Sequence, residues 1–539
     1  MPRFGAVRAK GTCPRSSRTR TEHTVSPGQR VVVIGGGISG LATAALLAKD
    51  GHDVTLVEAR EQLGGRAGTW QHEGFTFDTG PSWYLMPEVF DHFFRMLGTT
   101  SEKELELVPL DPAYRVFFEG TDDAFDLPAT GARDALVALD PDNAKGIDAY
   151  LASAETTYKL ATEYFLYTTF RSFAPLLAAD VVKGLPRLTR LLTEPLDRFI
   201  QRHTDDDRLR QVLGYPAVFL GTSPQAAPSM YHLMSHMDVG QGVFYPRGGF
   251  GEVISAIVRL AERQGVWIRT STPARRIVVE GRKTVGVEVS TPSGESEFLP
   301  ADVVVSTADL RVTERELLEP EQRDRNDAWW DKRDPGPGAV LAMLGVRGEL
   351  PELAHHSLFF TKQWEEGFDA IYGDHPHIPD PASLYVCRPS ATDSVAPPGH
   401  ENLFVLVPVP ADTEIGSGGM DGAGSTAVEA AVDRAIDQIS SWAGIADLRE
   451  RIVVRRSVGP ADFSREFGAW RGGALGPAHT LRQSAMLRGR NTSSRVDGLL
   501  YAGATTIPGI GLPMCLISAE LVVKQMRDDR SAGPLEEPQ

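Results

Sequence analysis

A glycine-rich turn between an apolar strand and an apolar helix constrains this chain more than any other stretch. Residues 30–37 read Arg-Val-Val-Val-Ile-Gly-Gly-Gly, a helix-like run follows to Asp50, and a second apolar strand comes next. Gly35, Gly37 and Gly40 fit the spacing G-x-G-x-x-G, which allows a tight turn, close approach of a pyrophosphate and close helix-on-strand packing. The pattern predicts a βαβ unit that binds a dinucleotide at the helix N-terminus.

An acidic residue and a second glycine turn follow this unit. Glu58 lies 23 residues after Gly35, near the spacing of the acid that binds a ribose diol. Gly64-Gly65-Arg66 then brings a second backbone turn and a guanidinium that can reach the same pyrophosphate. The uncharged run 31–48 has the length of a short membrane segment, but four glycines and a serine inside it argue against that alternative.

Length, charge and cysteine usage limit the rest of the chain. Its 539 residues exceed a single core and suggest about three domains. The formal net charge of −16 disfavours a nucleic-acid partner, because phosphate binding needs a basic face, and leaves room only for local contact with anionic lipid. Cys13, Cys387 and Cys515 are far apart, indicate no disulfide framework and fit a reducing cytoplasm.

Two sequence styles alternate and predict an interrupted domain. Parallel-type strands and glycine turns recur in three segments that we assign to one discontinuous cofactor domain: 30–100, 244–319 and 480–527. Two other segments predict an α+β substrate domain: 101–243 and 320–479. The tails 1–29 and 528–539 are predicted to be disordered, with a targeting role of the first tail as the alternative.

The predicted helical part of the substrate domain, 150–235, carries a stripe of leucines with interleaved arginines. Leucines recur at three- or four-residue steps from Leu185 to Leu196, and the arginines include Arg187 and Arg190. Such a stripe can lie in a membrane interface or pack on the substrate domain, and spacing alone leaves both readings open. Prolines break the stripe into short pieces, so it cannot span a bilayer.

Four histidines lie close together in sequence: His355, His356, His375 and His377. Two of them are adjacent, and adjacent side chains diverge on most backbones. No cysteine or carboxylate completes a tetrahedral set at a standard spacing. We therefore predict no metal site.

Together these motifs resemble those of bacterial-type phytoene desaturases, which are carotenoid-forming FAD enzymes among the amine-oxidase-like flavoproteins. The similarity extends from about Arg30 to Met526. It is carried by residues 31–40, 64–66, 77–81, 244–249, 302–309, 460–463, 483–485 and 503–513. The first two stretches occur in many flavin oxidoreductases, and the last four together are more particular to carotenoid desaturases.

The resemblance implies a set of site residues. FAD would be held by Gly35, Gly37, Gly40, Glu58, Gly65 and Arg66, with Gly80, Pro81, Gly503, Gly509 and Pro513 near the isoalloxazine. Ile507 stands where the family commonly has histidine, so a role of that histidine is not carried over. Arg171 is the catalytic candidate, although Ser172 replaces its usual acidic neighbour. The resemblance also implies that the helical part 150–235 contacts a membrane.

The predicted fold class is α/β, with a Rossmann-type FAD-binding domain interrupted by an α+β substrate domain. The resemblance implies a cytoplasmic, peripherally membrane-associated enzyme that desaturates phytoene or a related long polyene by hydride transfer to the flavin, with quinone or oxygen as electron acceptor. No carboxylate has a context that marks it as a catalytic base. Alternatives are a carotenoid isomerase, a desaturase of a modified polyene, an amine or porphyrinogen oxidase, and a non-redox prenyl-lipid carrier.

Overall fold

A computed structural model describes residues 28–172 and 184–538. Nearly all of the predicted amino-terminal tail therefore lies outside the described residues. Two large sheets with separate hydrophobic cores dominate the described chain.

The first sheet, called the parallel sheet below, has five strands that all pair in parallel. Its central strand is rich in valine, which favours extended backbone. The strands come from three stretches that are far apart in sequence. In spatial order they are Leu499–Tyr501, Val303–Ser306, Arg30–Ile34, Asp53–Val57 and Trp267–Arg269.

The parallel sheet is covered on both faces, because alternate side chains of a strand point to opposite sides. Val31 and Val33 join a core with helices, whereas Val32 and Ile34 join a core with a small antiparallel sheet. The covering helices are Ile38–Lys49, Pro87–Met96, Phe250–Arg263 and Leu512–Met526. The strands of the small sheet are Ala274–Glu280, Lys283–Ser290 and Ser296–Pro300.

The second large sheet has seven strands and is antiparallel except for one parallel pair. Its order is Ile452–Val458, Gly338–Arg347, His400–Val409, Leu384–Cys387, His356–Phe360, Tyr114–Phe118 and Phe125–Leu127. Leu341 and Met343 face a helical layer, and Val340 and Ala342 face the helix Thr426–Ala443.

The helical layer lies in the predicted helical part of the chain. Its principal helices are Ala144–Ala161, Leu185–Thr193, Leu196–Ile200 and Asp207–Gly214. Further helices are Ser101–Glu104, Ala132–Leu139, Leu310–Glu316, Asp327–Trp330, Trp364–Tyr372, Leu448–Arg451 and Pro460–Phe467. Two short ribbons pair Thr69–His72 with Phe75–Asp78 and Leu107–Pro109 with Phe244–Pro246.

The leucine-arginine stripe divides between the core and the surface. Leu188 is buried, whereas Leu185 and Leu192 are 56% and 39% exposed. Arg187 turns inward, and its Nη2 donates hydrogen bonds to the carbonyl oxygen of Ser153 and to the hydroxyl of the nearby Thr157, at 3.0 and 2.8 Å. Among the described residues, every helix is too short or too polar to cross a bilayer.

The predicted disorder of the carboxyl-terminal tail is wrong for residues 528–538, which pack back onto the fold. The backbone N–H of Leu535 donates to Glu520 Oε1 at 2.6 Å. The buried Lys524 ammonium donates to the carbonyl oxygens of Ser531 and Gly533. This polar tail is ordered because buried charged groups on the helix Leu512–Met526 need hydrogen-bond partners, which the tail supplies.

Candidate active site

A cavity of about 1100 Å³ lies between the two large sheets. Ile34 and Val57, at the carboxyl ends of two parallel strands, line one part of it, and Leu341 and Leu406 of the seven-stranded sheet line another. The carboxyl edge of a parallel sheet is where such folds bind ligands. The cavity is therefore the candidate site.

The first glycine turn forms one wall of this cavity. Gly35 has a φ of +106°, which favours glycine, and both Gly35 and Gly37 line the cavity. Gly40 does not line it, because it lies inside the first turn of the helix Ile38–Lys49. A Cβ on Gly40 would collide with the carbonyl oxygen of Gly35. The structure thus gives Gly40 the task of close packing and leaves the helix N-terminus open to a ligand.

Glu58 closes the end of this turn. Its carboxylate accepts hydrogen bonds from the backbone N–H of Gly36 at 2.6 Å and of Arg60 at 2.8 Å. Glu58 is 9% exposed and lines the cavity. A carboxylate held by backbone donors at this point can accept hydrogen bonds from a pair of hydroxyls.

The second glycine turn lies directly against the first. The N–H of Gly64 donates to the carbonyl oxygen of Gly36 at 2.8 Å. A Cβ on Gly65 would come within 3.3 Å of the Cα of Gly37. Only residues without side chains allow two backbone segments to approach so closely beside one ligand. The two predicted turns therefore form one cradle.

Arg66 places an unpartnered cationic group in this cradle. Its Nε is buried and has no hydrogen-bond partner among the described residues, and the buried hydroxyl of Ser39 has none either. Burial lowers the pKa of the Arg66 guanidinium, and the nearby Asp309 carboxylate opposes that effect. Buried polar atoms without partners are rare in proteins, and these two are available to a bound group. Donors of this type fit a pyrophosphate.

The remaining residues predicted to lie near the flavin ring divide into two groups. Gly80, Pro81, Gly503 and Pro513 line the same cavity as the cradle. Gly509 does not line it and lies against a buried histidine, with which a Cβ at this position would collide. Gly509 therefore shapes the wall from behind.

The structure does not bring Arg171 into the cavity. Its guanidinium forms a 2.7 Å ion pair with Asp528 of the carboxyl-terminal tail, and both side chains are well exposed. Arg171 is absent from the described lining of the cavity, whereas Ile507 lies in it. Sequence similarity could not reveal this ion pair, because its partner is more than 300 positions away.

The buried His479 forms a part of the wall that sequence analysis missed. Its Nε2 accepts a hydrogen bond from the backbone N–H of Ile510 at 3.1 Å, and its Nδ1 lies 2.8 Å from the hydroxyl of Tyr231. Burial and the nearby Arg488 cation hold the pKa of His479 well below its usual value. The imidazole is therefore neutral and both its nitrogens are engaged. The one hint in the sequence was Ser484, five positions after His479. Ser484 belongs to the 483–485 motif of the resemblance and also lines the cavity.

The other part of the cavity is apolar, and we call it the apolar arm. It is lined by the helical layer between Tyr158 and Met237 and by Leu341 and Leu406. The described lining residues between Tyr158 and Met237 include no charged side chain. Five large exposed apolar residues also line the cavity, at 39–56% exposure: Leu185, Leu192, Leu481, Met486 and Leu487.

The cradle fits FAD better than a nicotinamide dinucleotide. One cavity contains the two glycine turns, the unpartnered Arg66 and a second helix N-terminus, at Leu512–Met526. A second backbone turn with a buried cation adds donors that a simple dinucleotide fold does not need. Gly80 and Pro81 line the same cavity as the apolar arm. The cavity can therefore hold an apolar molecule beside a bound cofactor.

Comparisons with known proteins agree with this arrangement. The family model described as "Flavin containing amine oxidoreductase" matches residues 38–527. A carotenoid 3,4-desaturase of Haloarcula japonica is 40% identical over 507 residues, which cover 93% of this chain and 99% of the relative. A zeta-carotene-forming phytoene desaturase of Myxococcus xanthus is 33% identical, over 93% of this chain and 94% of the relative.

Solved structures share the fold at low sequence identity. An oxidoreductase from Methanosarcina mazei has a TM-score of 0.57 and 15% identity, over 92% of this chain and 100% of that chain. Cyclohexylamine oxidase from Brevibacterium oxydans has a TM-score of 0.56 and 13% identity, over 93% of this chain and 99% of that chain. The extent of the family match and the identity to curated relatives show that this chain belongs to the flavin containing amine oxidoreductases and, among them, to the carotenoid desaturases.

Proposed function

We propose that this chain, an FAD-dependent oxidoreductase, introduces a double bond into a long polyene of the carotenoid type. The observation that carries the proposal is one continuous cavity that joins the cofactor cradle to the apolar arm. A carotenoid or its precursor offers no charged group for recognition. It must therefore bind through burial of apolar surface, at roughly 25 cal/mol per Å².

In the proposed reaction the protein holds the cofactor, orients the substrate beside it and excludes water from the cavity. Bound FAD would take up both hydrogens that the substrate loses, one as a hydride and one as a proton, so that a new C=C forms. Arg66 and the two glycine turns would fix the cofactor at its phosphates. Trp83 and Tyr385 also line the cavity, and aromatic rings at such a site can stabilise positive charge that develops on the polyene. A fixed geometry between substrate and cofactor lowers the entropy cost of bringing the reacting atoms together.

The lining of the arm disfavours an amine substrate. The acidic residues among the described lining residues are Glu58, Asp309, Glu316 and Glu466. Glu58 lies in the cradle, and Asp309 is close enough to the cradle cation Arg66 to affect its pKa. None of the four lies between Tyr158 and Met237. Leucine, methionine and phenylalanine dominate there and would give a cationic amine no compensation for its lost hydration.

Two substrates compete within the proposal. Relatives named phytoene desaturases are 28–33% identical to this chain, whereas the relative named a carotenoid 3,4-desaturase is 40% identical. The higher identity favours a carotenoid that already carries a conjugated chain over phytoene. Both substrates are long and apolar, so the arm accommodates either.

The mouth of the arm supports substrate delivery from a lipid bilayer. Leu185, Leu192, Met486 and Leu487 are exposed and line the cavity. Exposed apolar side chains around an opening can insert into a membrane interface, which would spare the polyene a passage through water. We also propose quinone or oxygen as the acceptor that reoxidises the cofactor, because a quinone can arrive through the same membrane.

The test is product formation by the FAD-loaded protein with liposomes that contain phytoene or a carotenoid with a conjugated chain. Separate assays supply oxygen, or a quinone without oxygen. We expect products that absorb at longer wavelength, faster from the conjugated carotenoid. Phe165→Glu places a carboxylate in the arm and should abolish turnover while FAD stays bound, whereas Phe298→Glu, at an exposed site outside the cavity lining, should not. Unchanged polyenes under all conditions would refute the proposal.

A further inference from the structure

Two histidines and a cysteine meet behind the wall of the apolar arm. His356 and Cys387 face each other across paired antiparallel strands, and His355 precedes His356 in the chain. One potential ligand atom of each of the three residues lies within 4.8 Å of the others. All three are buried, with exposures of 5%, 0% and 1%. The adjacent histidines do not diverge as predicted, since their ring centroids are 4.7 Å apart.

Each imidazole makes a hydrogen bond through one ring nitrogen, and its other ring nitrogen has no partner among the described residues. His355 Nδ1 lies 2.7 Å from the hydroxyl of Thr392, and His356 Nδ1 lies 2.7 Å from the hydroxyl of Tyr385. The Nε2 atoms of both histidines are buried with no hydrogen-bond partner among the described residues. Trp83 stacks on His356 at 4.3 Å and fixes the ring plane. Two orphaned ring nitrogens in one buried cluster need an explanation.

This pattern is the one that metal-binding histidines show in proteins. A ligand histidine donates from one ring nitrogen to an outer partner, which fixes the tautomer and leaves the lone pair of the other nitrogen for the metal. Thr392 and Tyr385 are suitable acceptors, and the Tyr385 hydroxyl can in turn donate a hydrogen bond to the hydroxyl of Ser82, 2.7 Å away.

We propose that His355, His356 and Cys387 form a buried site for a soft d-block cation, with Cu⁺ favoured over Zn²⁺. Imidazole and thiolate are ligands that both ions prefer. One thiolate and two neutral imidazoles give an uncharged complex with Cu⁺, whereas Zn²⁺ would leave a net positive charge on these three ligands and requires a fourth ligand. The charges around the site are mixed: Arg388, paired with Glu401 at 3.1 Å, opposes a net positive charge, whereas the carboxyl groups of Asp78 and Asp393 lie near Cys387 and His355.

The three proposed ligands do not line the cavity, although Trp83 and Tyr385, which hold His356, do. Metal content therefore tests this site, and turnover tests the proposed function. A metal is bound by the thiolate form of cysteine, so uptake of the metal would release the thiol proton of Cys387.

The test is elemental analysis of the full-length, FAD-loaded protein, purified from cells supplied with copper or with zinc. We expect close to one copper per chain, less zinc, and recovery of the copper after chelation and anaerobic titration with Cu⁺. Thr392→Val removes an outer partner without touching a ligand and should weaken Cu⁺ binding by roughly 10–100-fold. Zinc alone at the same stoichiometry would retain the site and overturn the preference for copper.

Matched variants separate metal binding from folding. Cys387→Ser and His356→Gln should lose the metal, and FAD content shows whether each variant is folded. Cys515→Ser changes another buried cysteine, and His375→Gln changes an exposed histidine of the same sequence cluster, so both should keep the metal. If these controls lose as much metal as the ligand variants, or if the wild type neither contains nor takes up metal, the site does not exist.

Discussion

At the scale of single residues, the glycines of the cradle have distinct physical tasks. Gly37 lines the cavity, and a Cβ there would be 3.9 Å from the nearest atom, the carbonyl oxygen of Gly64. Gly40 lies behind it, where a Cβ would collide with the carbonyl oxygen of Gly35. The same sequence motif therefore contains one position that controls ligand binding and one that controls packing.

Substitutions at these two glycines should have opposite signatures. Gly37→Glu places a carboxylate where the cofactor phosphates belong, so we expect loss of bound FAD with little change in the stability of the apoprotein. Gly40→Ala should destabilise the apoprotein by about 1–3 kcal/mol through overpacking. The measurements are the flavin absorbance per chain and urea unfolding. Retention of flavin by Gly37→Glu would contradict the assigned role of this turn.

Arg66 should show a trade-off between cofactor affinity and stability. Its buried Nε has no partner among the described residues, which costs stability in the apoprotein, whereas a bound phosphate would satisfy it. Arg66→Met should therefore weaken FAD binding by roughly 10–100-fold, the equivalent of a charge-assisted hydrogen bond, and leave the apoprotein as stable or more stable. Quenching of flavin fluorescence measures the affinity. Arg449→Met, which changes an exposed arginine paired with Asp433 outside the cavity lining, is the control.

At the scale of elements, a buried carboxyl group joins the helical layer to the seven-stranded sheet. Asp238 Oδ2 accepts hydrogen bonds from the hydroxyls of Tyr215 at 3.0 Å and Tyr114 at 3.3 Å. Burial raises the pKa of Asp238 from 3.8 to about 7, and the hydrogen bonds oppose this effect. The junction of the two elements is thus most stable when Asp238 is protonated.

This carboxyl group should make folding stability depend on pH. Because the folded pKa lies above the unfolded pKa, its contribution is fully present below about pH 4 and is lost as pH rises through about 7. The interval corresponds to on the order of 4 kcal/mol. Asp238→Asn keeps the hydrogen bonds to tyrosine and should remove this pH dependence. Urea unfolding from about pH 5 to about pH 8 measures the difference, and parallel curves for the two proteins would contradict the assignment.

At the scale of the whole molecule, exposed leucines and methionine collect around the mouth of the cavity. Most of the large exposed apolar residues in the described chain line it, whereas Trp267, Phe298 and Val453 do not. An apolar rim of this kind is what the proposed delivery of a water-insoluble substrate from a bilayer would require.

Charges on this rim should weaken membrane binding. The double substitution Leu192→Glu and Leu487→Glu removes two apolar contacts, each worth about 1.5–3 kcal/mol when buried, and should lower the liposome-bound fraction at least tenfold. Phe298→Glu changes an equally exposed aromatic residue away from the mouth and is the control. Flotation with liposomes measures the bound fraction. Equal flotation of the double variant and the control would show that the rim is not the docking surface.

Much of the cofactor site could be predicted from local sequence, because its chemistry lies in short motifs. The turn at Gly35 and Gly37, the carboxylate of Glu58 and the turn at Arg66 follow from spacing and from the conformational freedom of glycine. The strands and helices near these motifs also occur where apolar periodicity predicts them. Local rules succeed here because each element satisfies its own backbone and buries a face that the pattern reveals.

Only the tertiary structure decided the contacts between residues that are far apart in the chain. The pairing of Arg171 with Asp528, the ordering of the tail by Lys524, and the meeting of His356 with Cys387 depend on strand register and on which buried group lacks a partner. No local pattern contains that information, since burial creates the demand for a partner only after the chain has folded. The sequence by itself determined a flavin cradle, and tertiary packing decided what surrounds it.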